Sequence, residues 1–104
     1  MHLANRQTRR AIRRELKIRS VAIADLKQLG CETRQHPKGQ IQKLVKSLKT
    51  YGPVLPIPID AQNRVIDGWA LVLAGRQLGL AKIPAVCISN LSDAQLRALR
   101  LALN

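Results

Sequence analysis

The stretch Arg64-Val65-Ile66-Asp67-Gly68-Trp69-Ala70-Leu71 joins a β-type apolar run to a helical run through a single glycine. A turn of that kind suits phosphate. The first helical turn leaves backbone N–H groups unpaired, carries the positive end of the helix dipole, and begins at a glycine that admits a ligand close to the backbone. The side chains that follow, Trp69, Ala70 and Leu71, supply neither a cation nor a hydroxyl to grip an anion. Two readings of the turn stand. It is a tight strand-to-helix connection with Trp69 as a lid on the core, or an altered ligand site. In the second case the contacts come from the backbone N–H groups of Trp69 to Leu71, with Trp69 stacking on a base.

Other residues carry less chemistry. Asp60 and Asp67 bracket a short hairpin, where a metal-dependent nuclease would want paired carboxylates, but turn and cap positions also call for Asp. Two His residues and the widely separated Cys31 and Cys87, with no Cys-x-x-Cys or His-x-Glu spacing, fall short of a ligand set, so no metal is expected. Ser20, Ser47, Ser89 and Ser92 lack a Gly-x-Ser-x-Gly context, and Ser92 is better used as a helix N-cap. Cys87 is expected to line the core on its strand, and Cys31, beside Glu32, has no activating neighbour in sequence. No catalytic residue is assigned.

Charge points to a partner. The chain has 104 residues and a formal net charge of +12, from 18 Lys and Arg against 6 Asp and Glu, which favours a polyanion such as DNA. Residues 1–19 hold Arg6, Arg9, Arg10, Arg13, Arg14, Lys17 and Arg19 against Glu15 alone, so half of the net charge lies in the first fifth of the sequence. This density makes phosphate contact the better reading of the arm. Lys43, Lys46 and Lys49, at three-residue spacing on one helix side, either extend that surface or form an ordinary solvated face. With Trp69 and Tyr51 as the only aromatics, a multi-ring platform for single strands is excluded. The sparse cysteines, the lack of a signal sequence and the lack of a membrane-length apolar run fit a cytoplasmic protein without membrane attachment.

The elements that must position these residues follow from periodicity. Residues 5–17 read as a helical arm, Ser20 to Ile23 as a strand, and Asp25 to Leu29 as a short helical turn closed by Gly30, with a polar connection over residues 31–37. Ile41, Leu44, Val45 and Leu48 fall at i, i+3, i+4 and i+7 and define a helix from Lys38 to Tyr51, stopped by Gly52-Pro53. Leu55-Pro56-Ile57-Pro58-Ile59 is extended, and its prolines place it at a sheet edge or leave it one side without N–H donors. Asp60 to Asn63 turns the chain into a second strand at Arg64 to Asp67, a buried helix spans 69–78 up to Gly79, and Ile83 to Ile88 is a strand. Ser92-Asp93-Ala94-Gln95 is a capping box that opens a helix with Leu96, Leu99 and Leu103 on one face. The result is a small single domain of mixed α/β (α+β) class, order β-α-β-β-α-β-α, over 20–104, preceded by the basic arm at 1–19. The leucine-rich last helix leaves apolar residues poorly covered, which suits a homodimer.

From Cys31 to Asn104, about seventy per cent of the chain, the sequence resembles the ParB-like domain of the ParB/sulfiredoxin superfamily. The pieces are Thr33-Arg34-Gln35-His36, Gln40-Ile41, Ser47-Leu48, Tyr51-Gly52 and Pro56-Ile57-Pro58-Ile59-Asp60. They continue with Val65-Ile66-Asp67-Gly68, Leu78-Gly79-Leu80, Ile83-Pro84-Ala85-Val86, Leu91-Ser92-Asp93-Ala94-Gln95 and Arg100-Leu101-Ala102-Leu103-Asn104. Their order and spacing carry the likeness. It implies a nucleotide-phosphate turn at Gly68, with CTP in partition proteins and ATP in sulfiredoxins, and Arg34 and His36 approaching the same pocket. It also implies nuclease activity in some members, an additional C-terminal domain beyond residue 104, and a setting of plasmid or chromosome partition or of phage DNA processing. In that family an arginine follows the glycine and grips phosphate. Leu71 stands at that position here, and Trp69 stands where sulfiredoxins carry the reactive cysteine. The expected function is therefore non-catalytic DNA binding, against the alternatives of a nuclease or CTP/ATP hydrolase using Asp67, Arg34 and His36, or a dimerising interaction domain.

Overall fold

A computed structural model describes residues 16–30 and 38–103. The strands are β1 (Ile18–Ala22), β2 (Lys27–Gln28), β3 (Ile57–Ile59), β4 (Arg64–Val65) and β5 (Lys82–Cys87). The helices are α1 (Lys38–Tyr51), α2 (Trp69–Leu78) and α3 (Asp93–Leu103), with a 3-10 turn at Ile23–Asp25. The five strands form one mixed sheet in the order β1-β5-β3-β4-β2. β1 runs antiparallel to β5 and β3 antiparallel to β4, while β3 is parallel to β5 and β2 parallel to β4.

Side-chain alternation along the strands divides the core into two layers. Ile57, Ile59, Val65, Ile83 and Ala85 face Val72 of α2, together with Ile23 and Leu26. Ile66, one residue after Val65, points to the other face and meets Leu29 and Leu96, with Ile88, Leu91 and Leu99 around them. α2 and α3 therefore cover opposite faces of the sheet, and α1 packs on α2. The aliphatic composition suffices because these side chains bury almost completely, with Ile66, Val72 and Ile83 at 0% exposure. Each such side chain contributes about 1.5–3 kcal/mol.

Helix ends follow local chemistry. The capping box closes as expected: Gln95 N–H donates to Ser92 Oγ at 3.2 Å, and Ser92 N–H donates to Gln95 Oε1 at 2.8 Å. Gly52, at φ 72°, donates its N–H to the Leu48 carbonyl at 2.9 Å and ends α1.

One expectation is corrected and one alternative decided. Asp25 to Leu29 is not a helical turn: the 3-10 turn lies earlier, at Ile23–Asp25, and Lys27–Gln28 is a strand recruited by parallel pairing with Arg64 and Val65. Of the two alternatives for the Pro56-Ile57-Pro58 strand, an edge position or a side without N–H donors, the second holds, because β3 lies between β5 and β4. Pro58 is tolerated there for a geometric reason. Its carbonyl accepts from Ile66 N–H at 2.9 Å, so its missing N–H also faces the β4 side, just where that strand ends at Val65.

Candidate functional site: a glycine turn beside an apolar cleft

β4 is followed by Ile66 and Asp67, and Gly68 then turns the chain into α2 with φ 98° and ψ 23°. Two constraints require glycine here. The backbone is left-handed, and a Cβ would stand 2.9 Å from Cγ2 of the buried Ile57. The Gly68 carbonyl begins the helical ladder, accepting from Leu71 N–H at 3.0 Å and Val72 N–H at 3.3 Å. The Leu71 N–H is thus committed to the helix. Among the described residues, the N–H groups of Trp69 and Ala70 remain as the donors of this turn, one fewer than the sequence suggested.

The side chains that follow Gly68 are apolar. Trp69 is half-buried against the main core layer, and the guanidinium of Arg76, about two turns further along the same helix face, lies 5.2 Å from its ring centroid. A cation–π contact of this kind occupies one face of the indole. Trp69 therefore acts as a lid on the core. Leu71 is also half-buried. With Gly68 it lines a cleft of about 250 Å³ completed by Leu44, Ser47 and Leu48 of α1 and the segment Gly52-Pro53-Val54-Leu55. Val54 and Leu55 are 70% and 73% exposed at its rim. No charged side chain lines this cleft among the described residues.

Asp60 has a structural task. Buried to 4% exposure, it accepts from Gln62 N–H at 2.9 Å and Arg64 N–H at 2.8 Å through Oδ1, and its Oδ2 pairs with Arg64 Nε. It closes the β3–β4 turn. Arg64 reaches on to Asp93 at the start of α3, with Nη2 to Oδ1 at 2.9 Å. The hydrogen bond from Arg64 and its charge lower the Asp93 pKa, and the bonds to Asp93 and Asp60 raise that of Arg64. Among the described residues no three His, Cys, Asp or Glu side chains gather as a metal would need.

The basic residues lie elsewhere. Lys43, Lys46 and Lys49 are exposed along α1, and Lys17 and Arg19 are exposed around the start of β1. Arg6, Arg9, Arg10, Arg13, Arg14, Arg34, His36 and Cys31 lie outside the described residues. Asp67, Gly68, Trp69, Ala70 and Leu71 are brought together at the turn. Cys87 is half-buried against the main core layer.

No family model matches the chain. The ParB-like nuclease domain-containing protein YnaK of Escherichia coli K12 is 31% identical over 81 residues, which cover 78% of this chain and 93% of that protein. The chain belongs to the ParB-like nuclease domain family. Solved structures share the fold of this ParB-like domain. The truncated chromosome-partitioning protein ParB of Caulobacter crescentus, complexed with CTP-gamma-S, superposes with a TM-score of 0.72 at 19% identity over 85% of this chain and 52% of that one. A pNOB8-like ParB N-domain gives 0.69 at 18% identity, covering 86% and 38%, so the domain spans about half or less of these ParB chains. Sulfiredoxin from Arabidopsis thaliana gives 0.63 at 18% identity, covering 82% and 97%. No helix among the described residues is long and apolar enough to cross a membrane.

Proposed function

We propose that this ParB-like domain is a non-catalytic, nucleic-acid-associated module. It holds the DNA backbone through the basic residues of 1–19 and the exposed lysines of α1, in a partition-like or phage and plasmid DNA-processing role in the cytoplasm. The observation that carries the reading is Leu71. At the helix start where a phosphate site needs a cation, the side chain is apolar, half-buried and part of an apolar cleft. The positive charge is concentrated instead in the first nineteen residues and on α1. Contacts of that kind are read by salt dependence, because each neutralised phosphate releases counterions. Removing residues 1–19 should flatten the slope of log affinity against log salt for duplex DNA, by up to about 6 if all seven cations engage phosphate. An unchanged slope would overturn the assignment to the arm.

A second reading rests on the turn itself. Gly68 caps α2 with the N–H groups of Trp69 and Ala70 available, and the related ParB of Caulobacter crescentus was solved with CTP-gamma-S. On this reading CTP or ATP sits at the turn with Arg34 and His36, and affinity is weak for want of an arginine fork. Thermal stabilisation by CTP or ATP, lost in Arg34→Ala, would favour it. A third reading, a homodimer or an additional C-terminal domain, draws on Leu101 and Leu103 of α3, which are 76% and 49% exposed. It requires a mass that rises with concentration in sedimentation.

A further inference from the structure

β1 stands at one end of the sheet order, so among the described residues its outer side has no strand beside it. An edge of this kind presents a row of backbone donors and acceptors, which proteins usually blunt with proline, a bulge or charge. Arg19 is the only such device in β1. Its five residues, Ile18-Arg19-Ser20-Val21-Ala22, pair with Val86 back to Lys82 without a break in register. Ile18, Arg19 and Ser20 are exposed, Ile18 to 64%.

One bond fixes which backbone groups face outward. Ile23 N–H donates to the Ala81 carbonyl at 2.9 Å, which continues the β1–β5 ladder by one pair. Antiparallel pairs alternate between bonded and unbonded. Val21 and Arg19 therefore bond to β5, whereas Ile18, Ser20 and Ala22 turn their N–H and C=O groups to the free edge. Pro84 agrees with this phase: it lies opposite Ser20, at an unbonded pair where its missing N–H takes nothing from the β1 ladder.

A second copy fits this edge best in one register. With a two-fold axis at Ser20, Ser20 faces the partner's Ser20, and each Ile18 faces the other copy's Ala22. All the outward residues then form bonded pairs, about six backbone hydrogen bonds in total. Arg19 falls opposite the partner's Val21, where its aliphatic stem packs, and the two Arg19 side chains stand diagonally. An axis at Arg19 would set like charges directly opposite, and axes at Ile18, Val21 or Ala22 pair fewer residues of the strand. We propose that β1 is a self-association edge, through which two copies of this chain pair antiparallel with Ser20 at the axis and share one continuous sheet. This interface is separate from a dimer through Leu101 and Leu103 of α3. The net charge of +12 on each copy opposes association, so pairing should tighten as salt rises, the reverse of phosphate contact.

The test is sedimentation equilibrium of the full chain from micromolar to millimolar concentration, with amide hydrogen exchange read by NMR over the same range. The mass should rise towards that of two chains. Protection of the Ile18, Ser20 and Ala22 amides should rise with it, while the Arg19 and Val21 amides are protected throughout. Ala22→Pro removes one outward N–H per copy where φ is already −63°, the angle proline imposes, so the β1–β5 ladder should survive. It should weaken association roughly tenfold or more. Ser20→Lys, which sets like charges opposite each other at the axis, should do the same by another route. Leu101→Gln should leave association unchanged. The proposal is overturned by a mass that stays at one chain, or by edge amides protected equally at every dilution, as residues 1–15 covering the edge would produce. Edge variants that associate as the parent does, or association lost in Leu101→Gln instead, would overturn it too.

Discussion

Replacing Leu71 by arginine restores the one side chain that the glycine turn lacks. Leu71 is half-buried and lines the apolar cleft beside Gly68, so the substitution forfeits about half of a leucine's burial, roughly 1–1.5 kcal/mol of stability. In return the guanidinium comes from the same first helical turn as the open N–H groups of Trp69 and Ala70, beside the positive end of α2. A charge-assisted hydrogen bond to phosphate contributes about 1.5–3 kcal/mol, which corresponds to roughly ten- to hundredfold tighter nucleotide binding. The assay is thermal unfolding with CTP and ATP, followed by calorimetric titration. Leu71→Arg should melt lower than the parent without ligand and gain more from nucleotide, each tenfold in affinity adding about 1.4 kcal/mol once ligand is in excess. A folded Leu71→Arg protein that gains nothing from either nucleotide would refute the idea that the turn retains a usable backbone site.

Other outcomes follow from the same geometry. Gly68→Ala should destabilise the domain by about 2–4 kcal/mol in denaturant unfolding, because alanine must adopt a positive φ and crowd Ile57; a loss below about 0.5 kcal/mol would show that the turn relaxes freely. Asp93, whose folded pKa lies below its ordinary 3.8, contributes stability that is present above that value and lost as the pH falls through the lower folded one. Asp93→Asn should therefore be less stable than the parent at neutral pH and lose less on acidification below about pH 4. Parallel acid-unfolding curves for the two proteins would contradict the Arg64–Asp93 pairing.

Much of the architecture was legible because local signals agreed with tertiary ones. α1 begins and ends at Lys38 and Tyr51 as its 3.6-residue periodicity and Gly52-Pro53 require, and α3 opens at the Ser92–Gln95 capping box. β2 was illegible for a physical reason. Lys27–Gln28 carries no apolar alternation, and its strand geometry comes wholly from pairing with residues far along the chain. The interior position of β3 was hidden by Pro58, since a proline is compatible with a middle strand only when its blank side meets the end of a neighbour. At the site, Gly68 announced itself through its place between a strand and a helix. The Arg64 bridge did not, because Asp93 lies 29 residues away and only the fold brings the two together.

On the proposed function, the glycine turn keeps its backbone while the anion contacts lie on the basic surface. Backbone amide NMR of the full chain during titration with duplex DNA tests this most directly. The largest shifts are predicted at residues 1–19 and along the Lys43, Lys46 and Lys49 side of α1, with the amides of Trp69 and Ala70 unmoved. Shifts at Trp69 and Ala70 first, with no response from the basic residues, would contradict the proposed function.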